Sequence, residues 1–547
     1  MRLLHIDKCR NGVLRAADCF TAVFFWLICL SALYGMTRQM RNGGLHPAAA
    51  AGLMFTAVAA AAGLLLTLRL IGNSIDRAGL DPDRVFLILD VTLFMLQLEI
   101  AILMPFQTRN DLSYVCRGAK NIVLHGVSHI NDGMPKWDPA YFYTYPNNRL
   151  LVIILSVLYR AEYVLTGSMT DLLPKLVNAV GLNLSYICLY LTARTLGGKR
   201  TAIRCALYGL LVTPFLSYVS YFYTDAMTMP LLMGSVYCFA LWAKLSDRAA
   251  ASAGVMGAGR SSSRAASSGP ACVVKSSALS GALKRGALLT GSVLLLAIAY
   301  EMKGSAGLLL PVYCLYFLFH GRIEGLKSAV RRLLLAIFTA GLFGAAVHLI
   351  GRGMVSYLEL SPVLENKYQF PFIHWVMMSA SGSGGYRSSD YDFTEAHIGY
   401  ANKTHADLLR LLAKLRNQGT GFITHLFRKM QFTWTDGTYM AAHYNRQSAL
   451  FTSGTFATLA CISHLALLFL MVGSAIRAFL NPGKCSGRLF RTAVAVLALF
   501  LLIWETKSRY LVLYLPLMAL CGISEPLAAE APERDRAAGK KKISVDA

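Results

Sequence analysis

Residues 85–111 read VFLILDVTLFMLQLEIAILMPFQTRND, and this stretch decides the fold. From Val85 to Pro105 the residues are almost all apolar, and as a helix the run is long enough to cross a hydrocarbon core about 30 Å thick. Inside hydrocarbon the peptide groups find no water, so a helix, which bonds them internally, is the expected form. Immediately beyond come Gln107, Thr108, Arg109, Asn110 and Asp111, a polar exit from the membrane.

Outward from this run the same pattern recurs. Apolar segments lie at 17–36, 49–73, 85–105, 150–167, 175–196, 201–219, 227–244, 285–302, 305–320, 331–350, 455–479, 489–504 and 510–524. Of the 547 residues, 55% are hydrophobic and 15% charged, whereas a soluble domain carries roughly 25% charged residues. The expectation is an all-α polytopic membrane protein with about twelve transmembrane helices plus juxtamembrane helices. Met1 to Arg15 is basic and lacks a clear small-residue cleavage site, so Ala17–Met36 reads as a retained first span.

Positive charge orients the spans. The formal net charge of +24 would suggest nucleic acid in a soluble protein. Here Lys and Arg gather in short connections, where they mark the cytoplasmic side, and no helix-turn-helix, finger or RNA-binding signature accompanies them. The N-terminus, Gly197–Arg204, the 246–284 linker, His320–Arg332, Arg477–Arg491 and the tail all fall on that side if one segment does not cross. Segment 150–167 is short, follows Arg149 and contains Arg160 and Glu162, so it is expected to be juxtamembrane or re-entrant. Both termini are then cytoplasmic and the chain is a multi-pass protein of the plasma membrane.

The organisation follows. Residues 1–84 supply accessory transmembrane helices, and 85–350 a core with an outer loop at 106–148 and a cytoplasmic linker at 246–284. Residues 351–454 form a mainly helical outer subdomain, 455–524 the last transmembrane helices and 525–547 a cytoplasmic tail. The Ser-, Ala- and Gly-rich linker Arg248–Gly281 has no acidic residue and reads as flexible. Thr404–Gln418 reads as an amphipathic helix with Leu408, Leu409, Leu411, Leu412 and Leu415 on its apolar face and Gly419 at its C-terminal cap. Most of the twelve cysteines lie in apolar segments, where cysteine behaves as a small hydrophobe. No CxxC pair is present to suggest zinc.

Candidate chemistry clusters at the non-cytoplasmic ends of spans. Asp111 is placed to act as a general base on a hydroxyl, or simply to cap a helix. Asp225, in Tyr223-Thr-Asp225, sits where a span meets the outer surface, and an ionisable residue at such a level suggests function. Glu301 and Lys303 flank a near-absent loop and read either as an ion pair or as a phosphate contact by Lys303. Trp504-Glu505-Thr-Lys507-Ser-Arg509 places two cations on the side the positive-inside rule disfavours. Arg509 offers a planar fork matched to phosphate, or an interfacial anchor. In the outer subdomain, Gly382-Ser-Gly-Gly lacks the spacing of a phosphate-cradling loop. Asp390 and Asp392 are fit to hold a divalent cation, though such pairs also arise by chance. Asp81 and Asp83 lie apart in an inner loop.

Together these pieces resemble the GT-C superfamily of integral membrane glycosyltransferases, with a likeness to bacterial members of the protein O-mannosyltransferase and aminoarabinose transferase branch. The likeness is carried by Asn110-Asp111, Tyr141-Phe-Tyr-Thr-Tyr145-Pro-Asn147-Asn148, Tyr223-Thr-Asp225 with Pro230, His374-Trp375-Val-Met-Met378, Trp434-Thr-Asp436-Gly437 and Glu505-Thr-Lys507-Ser-Arg509-Tyr510. It spans roughly residues 85–524, apart from the linker. It implies inverting transfer from a polyprenyl-phosphate-linked sugar, with Asp111 as catalytic base. The leaving phosphate would be met by Arg509, with Lys303 and Lys507 in support. Asp225, Tyr145, Asn147, Asn148, His374, Trp375 and Asp436 would contact substrate. Many members carry paired acidic residues in the first loop. Asn110 stands before Asp111 here, which favours a single base without a metal or other cofactor. The acceptor would be an envelope glycan, lipid or protein. A transporter or lipid flippase would show inverted repeats, and none is evident. A polysaccharide polymerase or ligase would lean on loop arginines and histidines.

Overall fold

A computed structural model describes residues 2–259, 271–321, 325–481 and 487–523, with side chains undescribed at 2–9, 251–259 and 271–279. The tail at 525–547 and the middle of the linker lie outside the described residues. Every described element is helical. In chain order the longer helices are α1 (Arg2–Asn42), α2 (Pro47–Arg77), α3 (Pro82–Leu103), α4 (Asn110–His125), α5 (Arg149–Thr166), α6 (Leu172–Gly209), α7 (Met229–Gly259), α8 (Ala271–Met302), α9 (Leu309–Phe319), α10 (Leu326–Tyr357), α11 (Tyr400–Gln418), α12 (Gly421–Trp434), α13 (Gly454–Leu480), α14 (Arg488–Ile503) and α15 (Leu515–Leu520).

The helix ends follow from local chemistry. Pro47 and Pro82 occupy the first turns of α2 and α3, where a missing N–H costs nothing. The Asp81 carboxylate caps α3, and Pro105 follows its extended C-cap residue Met104. Ser453 caps α13 by accepting from the Phe456 N–H at 3.1 Å.

Eight described helices are long and apolar enough to cross a membrane. They coincide with the expected spans at 17–36, 49–73, 85–105, 175–196, 227–244, 285–302, 331–350 and 455–479. Shorter apolar helices, Gly304–Phe319 and Ser508–Leu520, stand at two further positions, and α14 at a third. On α2 and α10 most of the apolar surface faces outward, with Phe55 at 76% and Leu349 at 69% exposure. Such a band is stable only against lipid.

Two expectations are revised. Segment 201–219 is not a continuous helix. Gly198 (φ 77°, ψ −179°) kinks α6, using a backbone region open to glycine. The helix resumes and ends at Gly209, and Leu210–Tyr223 is irregular apart from a single turn at Pro214–Ser217. Its carbonyls are met by side-chain amides. Gln97 donates to Phe215 O at 2.8 Å, Asn178 to Tyr218 O at 2.7 Å and Val219 O at 2.8 Å, and Asn445 to Ser217 O at 2.9 Å. This is how non-helical backbone survives at membrane depth. The second concerns the form of the linker, whose ends are helical, with α7 continuing to Gly259 and α8 beginning at Ala271.

The basic connections meet at one end of the bundle. Lys199 pairs with Asp81 and Asp83 at 3.1 and 2.8 Å, Arg204 with Asp76 at 3.1 Å, and Arg488 with Asp18 at 2.7 Å. The Asp81 and Asp83 pair is thereby used in packing. Helices α4 and α5 pack together at the opposite end, where Lys120 of α4 pairs with Asp171 at 2.8 Å and the Tyr159 hydroxyl of α5 donates to the same carboxylate. In the outer subdomain α11 runs from Tyr400 to Gln418 and stops at Gly419 (φ 48°). Of its expected apolar face only Leu411 is buried, while Leu408, Leu409, Leu412 and Leu415 are exposed.

Candidate functional site

The site assembles from four chain segments at the end of the bundle opposite the basic connections. Asp111 stands in the first turn of α4, next to Asn110, whose positive φ of 52° turns the chain into the helix. Its carboxylate lies 3.4 Å from Arg509 Nη2 and is 34% exposed. Arg509 is buried. Its Nη1 donates to the Tyr444 hydroxyl at 2.8 Å, and its Nε lies 4.0 Å from Asp225 Oδ2. Asp225 is fully buried and holds Lys303 Nζ at 2.8 Å from its Oδ1. Lys303 therefore pairs with Asp225 rather than with its sequence neighbour Glu301, and its ammonium also sits 4.5 Å from the Tyr510 ring centroid. Asp111–Arg509–Asp225–Lys303 is thus a chain of alternating charges that balances internally.

Tyrosines and amides wall this chain. The Tyr223 hydroxyl donates to Asn148 Oδ1 at 3.0 Å, and Asn148 donates to the Tyr141 hydroxyl at 2.8 Å. Tyr145 meets Tyr141 at a tilt (4.9 Å between centroids, 43° between planes) and reaches Trp375 (6.1 Å). Asn147 is exposed and among the described residues its side chain bonds to Asn148 alone. Lys507 lies 3.5 Å from Glu505, whose other oxygen accepts from the Tyr510 hydroxyl. Around the mouth, Asn110 bonds to His443 at 3.0 Å, and Arg446 contacts the other ring nitrogen at 3.2 Å. Burial, and after it the cations Arg446, Arg509, Lys507 and Arg109, push the His443 pKa down. The imidazole is therefore neutral near neutral pH. Among the described residues neither Arg109 nor Arg446 pairs with a carboxylate, which leaves the mouth electropositive.

Two expected substrate contacts are otherwise engaged. His374 is wholly buried in the outer subdomain, bonded to Thr394 at 2.7 Å and 3.8 Å from Asp407. Burial lowers its pKa to about 3. Asp436 accepts from the Thr438 N–H at 2.9 Å, the Met440 N–H at 2.8 Å and the Ser508 hydroxyl at 2.8 Å. It holds a turn that contains the left-handed residues Tyr439 and Met440. Its role here is to fix the segment before Arg509. Asp390 is likewise committed, to Arg410 at 2.9 Å and Lys414 at 2.8 Å. Among the described residues no group of three His, Cys, Asp or Glu is arranged to hold a metal, and the neighbours of Asp111 are cations, a poor fit to a divalent ion. The glycine run is explained by close approach. A Cβ on Gly384 would fall 2.6 Å from the Lys429 side chain, and Gly384 O accepts from Thr506 N at 2.9 Å.

Sequence reasoning missed His443, Tyr444 and Arg446. Their signal was a polar run, His443-Tyr444-Asn445-Arg446, just before a span. Asp138 is a further buried carboxylate of the first outer loop. Asp138 is buried against Thr144 at 3.0 Å, and burial pushes its carboxyl up to about 6 while the Thr144 and Tyr391 hydroxyls facing it pull the other way. Arg149, at the foot of the same loop, ties it to the outer subdomain through Glu365 at 2.7 Å.

Fold and site together define a polytopic, all-helical integral membrane protein with a charged, tyrosine-walled site at one end of its bundle. Residues 270–527 match a family described as conserved hypothetical integral membrane protein. No curated protein matches the chain. The archaeal oligosaccharyltransferase AglB from Archaeoglobus fulgidus, solved with an inhibitory peptide and a dolichol-phosphate, aligns over 81% of this chain and 56% of its own, at 14% identity and a TM-score of 0.30. A second structure of the Archaeoglobus fulgidus oligosaccharyltransferase, tethered to an acceptor peptide through a disulfide bond, aligns over 83% and 58%, at 14% identity and a TM-score of 0.30. The chain spans little more than half the length of either, and similarity at this level fixes neither fold nor activity.

Proposed function

We propose that the chain is a membrane glycosyltransferase of the GT-C type. It transfers a sugar, with inversion, from a polyprenyl-phosphate-linked donor to a hydroxyl acceptor at the outer face of the plasma membrane. The observation that carries this reading is the contact between Asp111 and Arg509, 3.4 Å apart, at the end of the bundle away from the basic connections. By the positive-inside rule those connections are cytoplasmic, which puts the site outside and both termini inside.

The chemistry follows from the charges. The donor headgroup is an anion, and Arg109 and Arg446 at the mouth attract it. Arg509 has a planar fork to give to its phosphate, and in doing so releases Asp111. The acceptor oxygen attacks the anomeric carbon and its proton passes to the Asp111 carboxylate. The bond from the anomeric carbon to the phosphate oxygen breaks, and the electron pair leaves on the phosphate, where Arg509 stabilises it. Lys303 and Asp225 hold Arg509 in place, and Lys507 adds positive charge beside it. No cofactor takes part.

The test is Asp111→Asn, assayed as release of polyprenyl phosphate by purified protein across a panel of polyprenyl-phosphate sugars. Turnover should fall by roughly 10²–10⁴-fold, the usual contribution of a positioned base, with donor binding near normal. Full activity would remove Asp111 from the role of base.

A further inference from the structure

Beyond the donor site lies an aromatic surface that the transfer reaction leaves unused. Tyr114 is one turn after Asp111 on α4, so the two share a helix face. From Tyr114 a chain of rings runs to Trp137 (6.0 Å between centroids), on to Tyr391 (5.7 Å) and then to Tyr386 (6.3 Å). Tyr145 and Trp375, 6.1 Å apart, border the same space. Trp137 and Tyr386 are 47% and 44% exposed, high values for rings in contact with other rings. Asp138 is buried, and its Oδ2 has no hydrogen-bond partner among the described residues beyond the Tyr391 hydroxyl that faces the carboxylate. A buried carboxylate oxygen short of donors is costly unless a ligand supplies one.

Resting on the glycosyltransferase reading, we propose that this arc is the acceptor subsite and that it takes a neutral glycan. A pyranose presents an apolar C–H face, which packs on aromatic rings, and a rim of hydroxyls, which donate to carboxylates. Exposed Trp137 and Tyr386 meet the first requirement, and Asp138 Oδ2 the second. The surroundings also select against charge. Asp392 and Glu395, both exposed, add to Asp111 and Asp138, so a phosphorylated or otherwise anionic acceptor is repelled. Lys507 lies 5.6 Å from the Tyr386 ring centroid and two residues before Arg509, so positive charge marks the border between this arc and the place where the donor phosphate belongs.

The experiment is equilibrium dialysis of the full-length protein in nanodiscs against radiolabelled neutral glucan and mannan oligosaccharides of three to six units. A phosphorylated oligosaccharide and a serine- and threonine-containing peptide serve as rival probes. Neutral oligosaccharides should bind saturably and better than either rival. Trp137→Ala and Tyr386→Ala should each weaken binding by roughly three- to tenfold, with Tyr386→Phe closer to the parent. Monodispersity on gel filtration guards against misfolding. Absence of oligosaccharide binding, preference for the peptide or the anionic probe, or unchanged binding in the alanine variants would each overturn the assignment. Donor breakdown is followed separately. A parent that binds glycan but never releases polyprenyl phosphate would sink the glycosyltransferase reading, and one that releases it without binding glycan would sink only this inference.

Discussion

The charge chain makes an unusual demand on folding. Asp225 has no solvent contact, and its counter-ions are Lys303 at 2.8 Å and Arg509 at 4.0 Å. At an effective dielectric constant of about 20, a unit pair at the shorter distance is worth about 6 kcal/mol before desolvation is subtracted. Removing one member of such a pair typically costs about 3–5 kcal/mol, because the other is left buried and uncompensated. Asp225→Asn leaves two buried cations sharing Asp111, and Lys303→Met leaves two carboxylates sharing Arg509. Each single variant should fall by about that amount, a large part of a typical stability of about 5–15 kcal/mol. Asp225→Asn combined with Lys303→Met restores neutrality and should be more stable than either single variant, with a coupling of about 2 kcal/mol or more. The assay is fluorescence-detected gel filtration after graded heating in detergent, with the four proteins ranked by midpoint. A double variant that melts at or below the sum of the two single losses refutes the argument, since the charges would then act independently.

Three further outcomes follow. Arg509→Ala should weaken binding of radiolabelled polyprenyl phosphate by roughly 10–100-fold, the range for a lost charge-assisted contact, and Arg509→Lys should recover only part because the fork is gone; parental binding by both would make Arg509 an anchor. Asp138 has a folded pKa raised to about 6 from 3.8, so its contribution to stability is present below about pH 4 and lost as pH rises through 6. Asp138→Asn should therefore raise the melting temperature at pH 7.5, by up to about 3 kcal/mol in stability, and change little at pH 4; a gain that is equal at both pH values contradicts this. His374→Ala should cost about 1–3 kcal/mol by removing a buried ring that bonds Thr394 and packs on Phe370 and Trp375, and should speed proteolysis within 358–453 without altering donor affinity; a loss of donor affinity would return His374 to the substrate contacts.

Much of the fold was legible because hydrocarbon imposes a simple rule on composition. Pro82 and Pro105 bracket α3, and charge in the connections sorts the two ends. The rule sees composition and not backbone, which is why 201–219 looked like a continuous span. Gly209 and Pro214 were the local signs that the helix would break there. Within the site, Asp111, Asp225, Lys303 and Arg509 stood out because each is a charge at a disfavoured level. Their pairing was not legible, since Lys303 had Glu301 two residues away and Asp225 seventy-eight residues away. The tertiary partners of His374 and Asp436 were hidden for a related reason. A polar residue among aromatics has the same local sequence whether it faces a ligand or is satisfied in a core, and only the tertiary partners, Thr394 for one and Ser508 for the other, tell them apart.

The unwound stretch Leu210–Tyr223 sets an order of assembly. A chain made from its N-terminus has Gln97 and Asn178 already in the membrane when this stretch arrives, so the Phe215, Tyr218 and Val219 carbonyls find their amides at once. Ser217 O does not, because Asn445 lies 228 residues further along. Until the ribosome has passed the outer subdomain, that carbonyl has no partner amide, and the floor beneath Asp225 is open on the side where Tyr444 will bring Arg509 its hydroxyl. The site is therefore completed late, and a chain cut short before Asn445 would keep its spans through α10 while lacking α13–α15 and its chemistry.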